Sequence, residues 1–139
     1  MTRPQQILIV SDDALSKFTR AALEQRGFTV AAAEGIEAAY GELPGSSFDL
    51  VIIDVASAED GVEFIRRLRA TPHLSKTLVL TLADWGTGQP TLALTEGADA
   101  YEPKPVSTER LITAVERLLR QRVAKTAAAT NVFGGNRNR

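Results

Sequence analysis

The sequence predicts an α/β fold, a parallel sheet covered by helices on both faces. Three observations carry that expectation. Short apolar runs alternate with stretches of helical periodicity, those runs are apolar at successive positions, and acidic residues stand where two of them stop. A continuous apolar run of strand length fits a strand buried on both faces. Strict alternation of strand and helix then implies crossover connections and a parallel sheet.

The elements follow in order. Ile7 to Val10 is apolar throughout and ends in Ser11-Asp12-Asp13. Leu15, Phe18, Ala22 and Leu23 then recur at helical spacing up to Gly27, a helix stop. Phe28 to Ala33 reads as the second strand, and Ile36, Ala39, Tyr40 and Leu43 as a short helix broken by Pro44-Gly45-Ser46-Ser47. Leu50 to Ile53 is the clearest buried strand and is closed by Asp54. Gly61 opens a third helix with Ile65 and Leu68 inward and Arg66, Arg67 and Arg69 available to solvent. Thr77 to Leu82 is the fourth strand, about Pro90 to Glu96 a weak fourth helix, and Ala100 to Glu102 the fifth strand. Ser107 caps a last helix with a stripe of Leu111, Ile112, Val115, Leu118 and Leu119. With five strands the flavodoxin-like order 2-1-3-4-5 is favoured.

A chain of 139 residues fits one domain with a real core. The reading places that domain at 1–123 and a mobile tail at 124–139, where Ala, Thr, Asn, Gly and Arg dominate. The formal net charge of -1 gives no strong pull toward nucleic acid or anionic membrane. The absence of cysteine excludes disulfides, thiolate chemistry and Cys-ligated zinc. The polar N-terminus reads as no signal peptide, and no apolar run is long enough to span a bilayer. A cytoplasmic protein is expected. The lone histidine, His73, has no partner for a metal or triad role and reads as a surface residue. Trp85, between the fourth strand and fourth helix, reads as packing or as part of a partner-binding surface, with packing favoured.

In an open α/β sheet, ligands collect beyond the carboxyl ends of the strands, where the strand order reverses. Asp12 and Asp13 follow the first strand, Asp54 closes the third and Lys104 lies just past the fifth. An Asp at a helix start also serves as an N-cap, but three converging carboxylates repel one another unless a cation intervenes. Mg2+ suits such a site, because it prefers carboxylate oxygens and shares its shell with phosphoryl groups. An Asp carboxylate is also a nucleophile toward phosphorus, and Lys104 supplies a fixed positive charge for the phosphoryl oxygens.

At this point the chain resembles the receiver domain of two-component response regulators, from roughly Gln6 to Val123. The resemblance rests on Ile-Val-Ser-Asp-Asp at 9–13, Leu-Val-Ile-Ile-Asp at 50–54 and Gly-Ala-Asp-Ala-Tyr-Glu-Pro-Lys-Pro at 97–105. It implies a phosphoacceptor, Asp54, fed by a histidine kinase or phosphotransfer protein, and a separate downstream effector protein. It implies Mg2+ held by Asp13, Asp54 and the carbonyl of Ala56, with Asp12 acting through water. Lys104 becomes the phosphoryl-binding lysine and Tyr101 the aromatic switch. The chemistry so implied is self-phosphorylation and self-dephosphorylation of a signalling domain, not turnover by an enzyme. Neither nucleic acid nor membrane is expected as a partner.

Two departures stand out. The loop from Val55 to Asp60 contains no proline and is shorter than in relatives. Relatives also carry a Ser or Thr hydroxyl at the end of the fourth strand, facing the phosphoryl group. Counting back from Lys104 lands on Leu82, and counting forward from Gly61 lands near Ala83. Thr81 is the nearby hydroxyl, and a slip of one residue turns a strand side chain to the other face. Either an insertion or deletion brings Thr81 to the phosphoryl-binding and switch position, or that relay is damaged. The alternative function is therefore a degenerate receiver acting as a phosphorylation-independent interaction module. A small Mg2+-dependent phosphatase fits less well, because its nucleophile would sit on the first strand in Asp-x-Asp spacing.

Overall fold

The computed structural model describes residues 4–11, 15–45, 47–55, 57–83, 97–104 and 106–137. Five parallel strands, β1 (Gln6–Ser11), β2 (Thr29–Glu34), β3 (Leu50–Asp54), β4 (Leu78–Ala83) and β5 (Ala100–Pro103), form one sheet in the order β2-β1-β3-β4-β5. This is the predicted order. The described helices are α1 (Leu15–Gln25), α2 (Gly35–Glu42), α3 (Ala58–Ala70) and a final helix, α4 (Thr108–Arg137), with a 3-10 turn at Pro72–Leu74. The fourth helix expected near Pro90 to Glu96 lies outside the described residues.

The central strands are apolar at successive positions because both faces are covered. One face packs Leu8, Val10, Val51, Ile53 and Val79 against Ala39 of α2 and Phe64, Ile65 and Leu68 of α3. The other packs Ile7, Ile9, Ile52, Leu80 and Leu82 against Leu23 of α1 and Leu111, Ile112, Val115 and Leu119 of α4. The interleaving of these two sets along each strand is the period-two alternation of a pleated sheet. It fixes which side chains can meet at the strand ends.

Local differences from the sequence reading have identifiable causes. Helix α3 begins at Ala58, ahead of Gly61, because Ser57 caps it: its hydroxyl accepts from the Asp60 N–H at 3.2 Å, with Glu59 and Asp60 in the first turn. Ser107 caps α4 as expected, accepting from the Arg110 N–H at 3.1 Å. Phe18, assigned by spacing to the inward stripe of α1, is 75% exposed, whereas Thr19 is buried. The final helix spans Thr108–Arg137. Ala124 and Ala127 to Ala129, good helix formers, lie in that stretch.

Candidate functional site

Asp54 ends β3, and its side chain is almost wholly withdrawn from solvent, the residue being 3% exposed. The register pairs Asp54 with Ser11 of β1. One step earlier it pairs Ile53 with Thr81 and Thr81 with Tyr101. Strand partners in register present their side chains to the same face, so two rows cross the carboxyl end of the sheet. Ser11, Asp54 and Leu82 share the face of α1 and α4, and line one crevice with Thr19 of α1 and Leu111 of α4. Val10, Ile53, Thr81 and Tyr101 belong to the opposite face.

A buried carboxylate is stable only when paired and hydrogen-bonded. Both oxygens of Asp54 have such a partner. Lys104 Nζ donates to Oδ1 at 2.7 Å, with the lysine side chain 31% exposed. Ser11 Oγ donates to Oδ2 at 3.2 Å. Lys104 reaches across because β5 stops at Pro103, immediately before it, while the β4–β5 register holds the strand end beside Leu82 and Ala83. Glu102 is tied to α4, accepting from Arg110 Nε at 2.7 Å.

The structure therefore brings Asp54 and Lys104 together. It adds Ser11, which the sequence reading passed over. The available signal is parity, since Ser11 continues the series Ile7 and Ile9 on one face. Thr81 is not brought to the acceptor. It is fully buried on the far face, and its hydroxyl has no hydrogen-bond partner among the described residues. The position facing Asp54 from β4 is Leu82, 1% exposed. The register has no one-residue slip that would exchange them. Tyr101 is half-buried beside Thr81, on the face away from Asp54. Asp12, Asp13, Ala56 and Trp85 lie outside the described residues. His73 is exposed, its Nε2 lying 3.1 Å from the Leu43 carbonyl.

For a divalent cation the chemistry of the described donors is compatible: an anionic carboxylate and a neutral hydroxyl, both oxygen, suit a hard ion such as Mg2+. Among the described residues no cluster of three or more His, Cys, Asp or Glu is complete. No helix among them is long and apolar enough to cross a membrane.

Comparison with known proteins agrees with this geometry. The chain is 33% identical over 120 residues to the transcriptional regulatory protein TrcR of Mycobacterium tuberculosis, covering 85% of this chain and 46% of TrcR. It is 38% identical over 119 residues to the response regulator MprA of Mycobacterium ulcerans, covering 84% and 50%. The chain thus spans about half the length of these relatives, 46% and 50%. Among solved structures, the chemotaxis response regulator CheY4 of Vibrio cholerae superimposes with a TM-score of 0.75 at 23% identity, over 82% of this chain and 98% of that one. The receiver domain of the Francisella response regulator 1452 gives 0.74 at 26% identity, over 84% and 98%. The family model described as the response regulator receiver domain matches residues 7–116. On this match, and on a fold that sets a buried aspartate against a lysine at the carboxyl end of the sheet, the chain belongs to the response regulator receiver domain family of two-component signalling.

Proposed function

We propose that this receiver domain takes a phosphoryl group on Asp54 from a histidine kinase, a phosphotransfer protein or a small phosphodonor. The observation that carries the reading is the buried Asp54 carboxylate with Lys104 Nζ 2.7 Å from Oδ1. A carboxylate oxygen attacks phosphorus, the bond to the donor's leaving group breaks, and that group departs with the electron pair. Lys104 is placed to turn from Asp54 to the incoming phosphoryl oxygens, whose charge an ammonium stabilises in a site of low polarity. Asp54, with Asp12, Asp13 and the Ala56 carbonyl assigned by the family resemblance, would hold Mg2+. When bound, the cation supplies charge neutralisation at the phosphoryl oxygens. The domain acts as a phosphoacceptor and not as an enzyme on a separate substrate. A kinase-fed acceptor of this kind works in the cytoplasm.

Phosphorylation adds negative charge beside Lys104, and partners read the resulting change of surface. The effector is a further element of the proposal. TrcR is a transcriptional regulatory protein, so an output that reaches nucleic acid is compatible with this reading, and the balance of charge alone does not exclude it.

A second reading, a phosphorylation-independent interaction module, is favoured by one observation: β4 offers Asp54 the apolar Leu82 in place of a hydroxyl. Incubation with Mg2+ and radiolabelled acetyl phosphate separates the two. Label on the native chain and none on Asp54→Asn supports the acceptor. No label on either, with both folded, supports the module.

A further inference from the structure

We propose that Ser11 sets the lifetime of the phosphoryl group on Asp54, acting from β1 on the acceptor carboxylate itself. The inference rests on Asp54 being the acceptor. Ser11 is 1% exposed, is paired with Asp54 in the β1–β3 register, and donates its hydroxyl to Oδ2 at 3.2 Å. The crevice around this bond is walled by the apolar Ile9, Ile52, Leu82 and Leu111, with Thr19 the one further polar side chain among the described residues. In apolar surroundings a hydrogen bond to a charged oxygen is stronger than in water. From β4 no hydroxyl reaches Asp54, since Leu82 takes that side and Thr81 faces away. Among the described residues the neutral side-chain donor to the acceptor therefore comes from β1.

The chemical consequence has a definite sign. In hydrolysis, water oxygen bonds to phosphorus, the bond from phosphorus to the Asp54 oxygen breaks, and its electron pair returns to the carboxylate. The attacking water loses a proton to solvent, and inorganic phosphate leaves. In a loose phosphoryl-transfer transition state the leaving oxygen already carries much of that negative charge. The charge spreads over both carboxylate oxygens, so a donor at Oδ2 stabilises it whichever oxygen held the phosphoryl group. The same donor stabilises the free carboxylate relative to the neutral ester carbonyl. Ser11 thus speeds loss of the phosphoryl group and does not speed its capture.

The test is the first-order decay of radiolabelled full-length protein after removal of acetyl phosphate, for the native chain, Ser11→Ala, Ser11→Thr and Thr19→Val. A hydrogen bond to a charged group predicts decay slowed about three- to tenfold in Ser11→Ala. Ser11→Thr keeps the hydroxyl and decays as the native protein does. Thr19 lines the same crevice without bonding to Asp54 among the described residues, so Thr19→Val also keeps the native rate. Unchanged or faster decay in Ser11→Ala overturns the proposal, and so does equal slowing in all three variants, which would assign the effect to packing. A native chain that takes no label on Asp54 removes the acceptor reading and this inference with it. Labelled protein with equal lifetimes removes the inference alone.

Discussion

Each end of β4 has a cation set against a carboxylate nearby. At the amino end Arg69 Nη2 lies 3.0 Å from Asp99 Oδ2; at the carboxyl end Lys104 Nζ lies 2.7 Å from Asp54 Oδ1. The first pair is saturated. Arg69 also donates to the carbonyls of Gly97, Ser75 and Thr77, and Asp99 accepts the Val79 N–H at 2.8 Å. A planar guanidinium with several fixed donors is suited to tie chain segments together. Among the described residues the second pair rests on an ammonium, a point charge on a flexible stem, and on one hydroxyl. Under the proposed function its carboxylate exchanges those partners for a phosphoryl group or a cation. A guanidinium with all its donors committed holds chain segments in place, whereas an ammonium on a flexible stem can turn between oxygen partners.

The largest stability loss should follow the saturated end. Arg69→Met leaves three carbonyls and Asp99 without this donor and costs about 2–4 kcal/mol, read from the midpoint of urea unfolding. The folded fraction should still accept phosphoryl groups. Gly97→Ala is next. Gly97 has φ +119, and a Cβ there would stand 3.0 Å from Arg69 Nε, so strain and contact together cost at least about 1 kcal/mol. Lys104→Met strands a buried carboxylate and costs about 1 kcal/mol, less than a wholly buried pair because the lysine reaches solvent. Most of that loss should return in the double variant Asp54→Asn with Lys104→Met, whereas the corresponding change at Arg69 and Asp99 should show no such recovery.

The smallest effect is expected at Thr81. Its buried hydroxyl has no partner among the described residues, and Thr81→Val replaces it with a methyl of similar shape. Stability should rise by up to about 1 kcal/mol, and phosphoryl uptake should be unchanged because the side chain points away from Asp54. A large loss of uptake in this variant would contradict the placement of Thr81 on the face away from Asp54.

Much of this was legible in the residues. Ile7 to Val10 and Leu50 to Ile53 announce strands covered on both sides, and Asp54 and Lys104 stand at strand ends where charge is costly without a use. Ser11 was less legible, since a neutral hydroxyl before two aspartates carries no charge signal. Its contact follows from a register that only the paired strands supply. The choice between Thr81 and Leu82 turned on a single residue of register, the quantity that local patterning specifies least when both faces of a strand are buried. Phe18 misled because its spacing matches the apolar stripe of α1, while Thr19 takes the inward place.

The measurement that bears most directly on the account is the site of modification. After incubation with Mg2+ and acetyl phosphate, borohydride reduction converts an aspartyl phosphate to homoserine, and peptide mass mapping finds its position. The account predicts one reduced aspartate, at position 54, absent without the phosphodonor and lost in Asp54→Asn. A reduced residue at position 12 or 13, or none in a folded protein, would contradict it.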